Sequence, residues 1–388
     1  MLNRSARRPL WDNVPRREAG MENRLSTPLQ RQPGPAVVGP EFDAIRAAHR
    51  RIAPHVHRTP VMTSASLNDL AGAELYFKCE NLQRSGSFKM RGASNAVFSL
   101  SEEEAARGVL THSSGNHAAA LALAARRRGI RAWIVMPSDA AQIKRAAVAA
   151  FGGEITLCEP TLAARQATAA EVLRRTGAVL VHPYDDDRII AGQATAAVEL
   201  IEEVPDLDFV LAPVSGGGLL SGTGIATKHL LPAAHVIGCE PRNADDAARS
   251  LAAGRLEPAA SSTTMADGLR ATLSPRTLAI LQRTADAIAL VSEEEIVAAM
   301  RLLWERLKLV VEPSGAVAAA PALPPSTCFP LRASSAANRV TPTTPRAHSP
   351  PAASSPPHPA RRWPMGFELR FRRARWPFCS AQQMPSRW

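Results

Sequence analysis

The chain has 388 residues and a formal net charge of +11, a length that allows two or three domains and a sizeable core. The excess charge sits at the ends: residues 1–40 carry +4 and residues 321–388 carry +9, leaving −2 for the body, so the basic balance gives no ground for reading the body as a nucleic-acid binder. Cys79, Cys158, Cys239, Cys328 and Cys379 form no CxxC pair, which excludes a regular disulfide framework and fits a reduced, cytoplasmic protein.

Residues 1–40 are Arg-rich, lack the apolar core of a signal peptide, and include Asp12, Glu18 and Glu22, which argue against a transit peptide. They read as a disordered extension, with Met21 an equally available start. Behind Pro40, Phe42, Ile45 and Ile52 mark one face of a first helix. Short apolar runs bounded by Gly, Pro or polar residues then fall at 75–77, 108–111, 132–136, 155–158, 179–181, 209–211 and 236–239. Ala-rich helical runs such as 118–128, 141–151 and 162–175 lie between them. This rhythm predicts an α/β fold with parallel sheets covered on both faces. No run is long enough for a membrane span. After Ala320 the rhythm stops, and Pro, Ser, Arg and Ala crowd residues 321–388. Such a composition buries too little apolar surface to offset chain entropy. The segment is expected to be disordered, the product of a frame lost near Ala320.

Three motifs carry the chemistry. Ser85-Gly86-Ser87-Phe88-Lys89-Met90-Arg91-Gly92 sets one lysine in a turn of small residues behind an aromatic, the way a lysine is presented to an aldehyde. Ser113-Ser114-Gly115-Asn116-His117 is a polar loop after the run 108–111. Ser215-Gly216-Gly217-Gly218-Leu219 follows the run 209–211 and opens a helical stretch. Consecutive glycines between a strand and a helix aim several backbone N–H groups at one point, where the helix N-terminus also favours an anion. A glycine triplet alone is more often a flexible turn, and a lone lysine a surface residue; their order here changes the reading. An aldehyde-trapping lysine, a polar loop and a phosphate cup describe a site for pyridoxal 5′-phosphate. Both loops fall beyond the carboxyl ends of strands, where ligands of such sheets bind.

In this order and spacing the motifs resemble those of the serine/threonine dehydratase and serine racemase family of fold-type II pyridoxal-phosphate enzymes. The resemblance extends through Arg58-Thr59-Pro60-Val61, Phe77-Lys78-Cys79-Glu80-Asn81, His182-Pro183-Tyr184-Asp185, Gly238-Cys239-Glu240-Pro241, Met265-Ala266-Asp267-Gly268 and Val311-Glu312-Pro313-Ser314-Gly315, about residues 41–320. It implies two open, twisted, mainly parallel sheets with helices on both faces. It also implies a large domain from residues 41–107 and 186–320 and a small domain over 108–185, with the cofactor between them, and a homo-oligomer, a dimer.

The same resemblance implies the roles of individual residues. Lys89 is the covalent anchor of the cofactor and the base for the α-proton, and Ser114 faces it across the substrate. Phe88 packs beside the cofactor ring, Asn116 bonds its ring hydroxyl, Glu312 belongs to the cofactor site, and Ser215, Gly216, Gly217, Gly218 and Leu219 hold its phosphate. Ser113, Ser114 and His117 line the place of the substrate carboxylate, with Tyr184 and Asp267 nearby. Glu240, the Ala244 carbonyl and Asp246 match positions that bind a divalent cation, as hard oxygen ligands suited to Mg²⁺ or Ca²⁺; a solvated acidic turn is the competing reading. Ala119 and Ala194 depart from the family's usual Gln and Gly.

The activity expected is elimination of water from L-serine or L-threonine to a 2-oxo acid and ammonia, because Tyr184-Asp185-Asp186 looks like the bacterial dehydratase version. Serine racemisation and 3-hydroxyaspartate dehydration are the alternatives; His117 stands against the cysteine-synthase branch. Relatives continue past the counterpart of Glu312 to a final strand and a Ser-Gly-Gly-Asn turn, which no motif matches here, so reduced stability and activity are expected of this chain. From a different class, the ends could bind nucleic acid, through Arg residues alternating with Trp363, Phe367, Phe371 and Trp376; the expected partners are instead a small hydroxy amino acid, with no nucleic acid and no membrane. Trimming residues 321–388 is expected to abolish any salt-dependent retention of the protein on immobilised DNA. Retention that survives the trimming would place a basic binding face on the body.

Overall fold

The computed structural model describes residues 39–323, apart from Ser114, Ala260 and Ser262. The expected extension and tail therefore lie outside the described residues, except for 39–40 and 321–323. Strands β1 (Val61–Met62) and β2 (Phe77–Lys78) form a short antiparallel pair, Val61 opposite Lys78. Strands β3 (Val109–His112), β4 (Ala132–Pro137), β5 (Glu154–Cys158) and β6 (Val179–Leu180) form a parallel sheet in the order β5-β4-β3-β6. Strands β7 (Phe209–Pro213), β8 (His235–Pro241) and β9 (Ala287–Val291) form a second parallel sheet in that order. The chain is thus an α/β protein of parallel sheets flanked by helices, as its rhythm predicts.

Burial follows position in the sheet. Every residue of the inner strand β4 is buried, and its sequence is a continuous apolar run, as a parallel strand covered on both faces requires. The edge strand β5 has only exposed and half-buried residues. Of the predicted strands, each has a counterpart within a residue or two. The pair member β1 and the strand β9 are additional: β1 spans only two residues, and β9 is a short run of Ala and β-branched residues just before the Ser292 capping box.

The helices Lys89–Phe98, Asp187–Glu203 and Gly218–Leu230 cross at glycines and are buried along most of their lengths. A Cβ added at Gly192 would lie 2.6 Å from the Gly92 Cα, and one added at Gly222 would lie 2.6 Å from the Ile190 carbonyl oxygen and 2.8 Å from the Ala194 amide nitrogen. These are backbone obstacles, which cannot swing aside as a side-chain tip can. The first and third of these helices begin at Lys89 and at the glycine loop, so the crossing sets the distance between the two. No helix among the described residues is long and apolar enough to cross a membrane. Gly222→Ala is expected to cost about 1–3 kcal/mol of stability by overpacking, read as a lowered urea midpoint with an unchanged slope.

Candidate active site

Lys89 is the first residue of its helix, with Phe88 at the N-cap. Its side chain keeps part of its surface toward a cavity, while the protein packed around the amine desolvates it and lowers its pKa to about 8. Nζ donates to the Pro183 carbonyl oxygen at 3.0 Å and lies 5.2 Å from the centroid of the Phe88 ring. The helix N-terminus is also the positive end of its dipole, an unfavourable place for an ammonium.

Histidines surround the amine. His117, at the start of the helix Asn116–Arg128, is 2% exposed; burial, and then the charge of Lys89, push its pKa down to about 3. Its Nε2 lies 3.4 Å from the Val181 carbonyl oxygen, and its buried Nδ1 has no hydrogen-bond partner among the described residues. His182 follows β6, and burial, then His112, hold its pKa at about 4. Its Nδ1 accepts from the backbone N–H groups of Tyr184 and Asp185 at 3.4 and 3.0 Å, so the neutral ring carries its proton on Nε2. Both imidazoles are therefore uncharged at neutral pH.

The glycine loop lies between the end of β7 and the helix Gly218–Leu230. Gly217 has a φ of +87°, the left-handed region that favours glycine. A Cβ at Gly216 would come within 2.4 Å of the Tyr184 ring, and one at Gly218 within 2.9 Å of the Tyr184 Cβ. Tyr184 therefore lies directly against the loop. The Ser215 hydroxyl donates to the Ala271 carbonyl oxygen at 3.1 Å and accepts from the Ala271 N–H at 3.0 Å, tying the loop down through its side chain. The first amides of the following helix have no acceptor within it, which leaves them for an anion.

One cavity of about 1520 Å³ brings together the Lys89 turn, the 113–117 loop, Tyr184, the glycine loop, Asp267 and Glu312. Ser114 lies outside the described residues. The Ser113 N–H donates to the Val135 carbonyl oxygen at 3.2 Å, and its hydroxyl accepts from the Gly115 N–H at 3.4 Å. Asn116 Nδ2 donates to Glu312 Oε1 at 2.8 Å, across 196 residues of sequence. Burial raises the pKa of Glu312, with the Asn116 hydrogen bond opposing it. Asp267 forms an ion pair with Lys144. Sequence reasoning gave no role to Lys144, for which no local signal exists, nor to His182, which did stand inside a quoted motif.

Glu240, Ala244 and Asp246 lie in the turn after β8. The Glu240 carboxylate is 1% exposed and accepts from the N–H groups of Ala247 and Ala248 at 3.0 and 2.9 Å, capping the helix Asp246–Ala253. Burial raises its pKa well above the carboxylate range; Asp246 is raised to about 6 for the same leading reason. Among the described residues no group of three or more His, Cys, Asp or Glu side chains is arranged to hold a metal ion.

The site does fit pyridoxal 5′-phosphate. The amine, with its pKa lowered to about 8, is uncharged about a tenth of the time at pH 7, far more often than an ordinary lysine, and the loop at the helix start is a cradle that any Cβ would disrupt. Comparison with known proteins agrees. The family model for pyridoxal-phosphate dependent enzymes matches residues 52–328. A serine racemase of Arabidopsis thaliana is 49% identical over 72% of this chain and 85% of its own length. A β-hydroxyaspartate dehydratase of Paracoccus denitrificans is 50% identical over 72% and 88%. The structure of maize serine racemase superimposes with a TM-score of 0.73 at 46% identity, covering 74% of this chain and 87% of that one. The chain belongs to the family of pyridoxal-phosphate dependent enzymes of fold type II and is related to serine racemases and threonine-type dehydratases.

Proposed function

We propose that the protein is a serine racemase that also eliminates water from hydroxy amino acids. The observation that carries the reading is the Lys89 amine, desolvated and without a carboxylate partner among the described residues, in the cavity that the glycine loop also lines. The relatives favour racemisation over the dehydratase activity expected from Tyr184-Asp185-Asp186: serine racemases from plants and Dictyostelium discoideum match at 47–49% identity.

In this reading Lys89 anchors the cofactor covalently until the substrate amine displaces it, and its freed Nζ then takes the α-proton. The bound cofactor supplies the electron sink that makes the α-proton acidic. Backbone amides of residues 215–219 hold the phosphate at the helix N-terminus. Phe88 packs against the ring. Asn116, oriented by Glu312, contacts the ring hydroxyl. Ser113 and His117 border the substrate carboxylate, with Tyr184 and Asp267 on the side of the substrate side chain. Ser114 returns a proton to the opposite face, completing inversion. When the β-hydroxyl departs after α-proton removal, hydrolysis gives a 2-oxo acid and ammonia.

A second reading, dehydration of 3-hydroxyaspartate, is favoured by the Paracoccus denitrificans relative at 50% identity. Incubation with L-serine, L-threonine and 3-hydroxyaspartate, with D-serine, 2-oxo acid and ammonia quantified, separates the two. D-serine as a main product from L-serine supports the first; 2-oxo acid from hydroxyaspartate with no D-serine overturns it. Lys89→Ala is expected to remove the visible absorbance of the reconstituted protein and lower both product rates by at least about 10³-fold. Gly216→Val drives a side chain into Tyr184 and is expected to weaken cofactor binding at least about tenfold, about 1.4 kcal/mol, measured by fluorescence titration.

A further inference from the structure

Arg91, the third residue of the helix that Lys89 opens, is fully buried and has no part in the chemistry above. Its guanidinium donates to both oxygens of Glu80 at 2.8 Å, to both oxygens of Glu199 at 2.8 Å, and to the Thr195 hydroxyl at 3.1 Å. All five of its N–H donors are thereby used. Thr59 donates to Glu80 at 2.6 Å, and Lys78 lies 2.8 Å from Glu199 and 2.7 Å from the Thr59 carbonyl oxygen. Two cations and two carboxylates close on themselves with no net charge. The cluster joins β2, the turn Glu80–Leu82, the Lys89 helix and the helix Asp187–Glu203.

Ion clusters of this kind are a poor source of net stability, because desolvation offsets the attraction, so their placement points elsewhere. Lys78 and Glu80 line the same cavity as Lys89. A carboxylate loose in that cavity would pair with the amine and hold its proton. The other titratable groups around Lys89 are His117 from the helix Asn116–Arg128 and His182 from the segment after β6, both neutral. Tyr184 follows His182 in that segment and is a neutral phenol whose pKa burial raises. Asp267 and Glu312 also line the cavity, where Lys144 and Asn116 hold them; Glu80, in the turn just before the Lys89 motif, is the further carboxylate to be kept off the amine.

We propose that Arg91 is a positioning residue for Lys89: it fixes the first turn of the helix and holds Glu80 and Glu199 in a neutral cluster, off the amine. The inference rests on Lys89 as the reacting group. It is tested on the full chain without turnover, by modifying lysines with trinitrobenzenesulfonate across pH 6–11 and quantifying the Lys89 peptide. Arg91→Met leaves the cluster one negative charge in excess and is expected to raise the midpoint of Lys89 labelling by about one pH unit, a tenfold loss of free amine. Glu80→Gln added to Arg91→Met is expected to return it toward the parent value, and Glu80→Gln alone to lower it. A folded Arg91→Met protein with an unmoved midpoint overturns the proposal. If Arg91→Met does not fold by circular dichroism, Glu80→Gln decides: a lowered midpoint supports the proposal and an unmoved one overturns it. Cofactor incorporation is scored separately, so a chain that labels as expected yet takes up no pyridoxal phosphate counts against the functional reading and not against Arg91.

Discussion

The site depends on an amine held out of water with no counter-charge. Lowering a lysine from 10.5 to about 8 means that the ammonium is disfavoured by at most about 3 kcal/mol relative to water, an upper figure because the cavity admits solvent. Everything packed near Nζ is consistent with that penalty. The contact to Pro183 is a single neutral carbonyl, the helix dipole is adverse, and His117 and His182 are kept uncharged by their own burial. Each of these groups can accept or relay a hydrogen bond without stabilising the charged amine as a carboxylate would. A lysine in an ordinary surface turn would be almost wholly protonated at pH 7, whereas a pKa of about 8 leaves about a tenth of the Lys89 amine free to act as nucleophile or base.

The second constraint is geometric. Three loops converge on the cavity, and all leave the carboxyl ends of parallel strands: 113–117 after β3, 182–184 after β6 and 215–217 after β7. Parallel sheets bring such loops to one edge regardless of the distance between them in sequence. The glycines then set how closely they meet. Gly216 and Gly218 admit Tyr184, while Gly92, Gly192 and Gly222 admit one helix to another beneath the loops. The same residue type thus admits a loop at one end of a helix and a second helix in its middle.

Much of this was legible in the sequence, for a physical reason. Buried parallel strands such as β4 are continuous apolar runs, and the glycine loop is a local motif whose function follows from backbone alone. What was not legible is pairing at long range. Asn116 and Glu312 are 196 residues apart, Lys144 and Asp267 are 123 apart, and Arg91 reaches Glu199 across 108. No periodicity or local spacing encodes such contacts. The strand β9 escaped notice because Ala287 and Ala289 make a weak apolar run between a polar Asp286 and the capping box at Ser292. For Glu240 the structure adds a contact that no local spacing showed: its two oxygens each accept one backbone N–H, from Ala247 and Ala248.

The two links that bridge the cavity are both accessible to a ligand. Lys144 and Asp267 are 37% and 43% exposed, and an ion pair so accessible contributes about 0–1 kcal/mol, so a substrate carboxylate could displace it at little cost. Asn116 and Glu312 also meet where the Glu312 side chain is exposed, although the protein around its carboxyl raises its pKa. Breaking that hydrogen bond leaves both groups within reach of water, so the net loss is about 0.5–1.5 kcal/mol. The cavity is therefore bridged at both places by contacts that a ligand can exchange for its own.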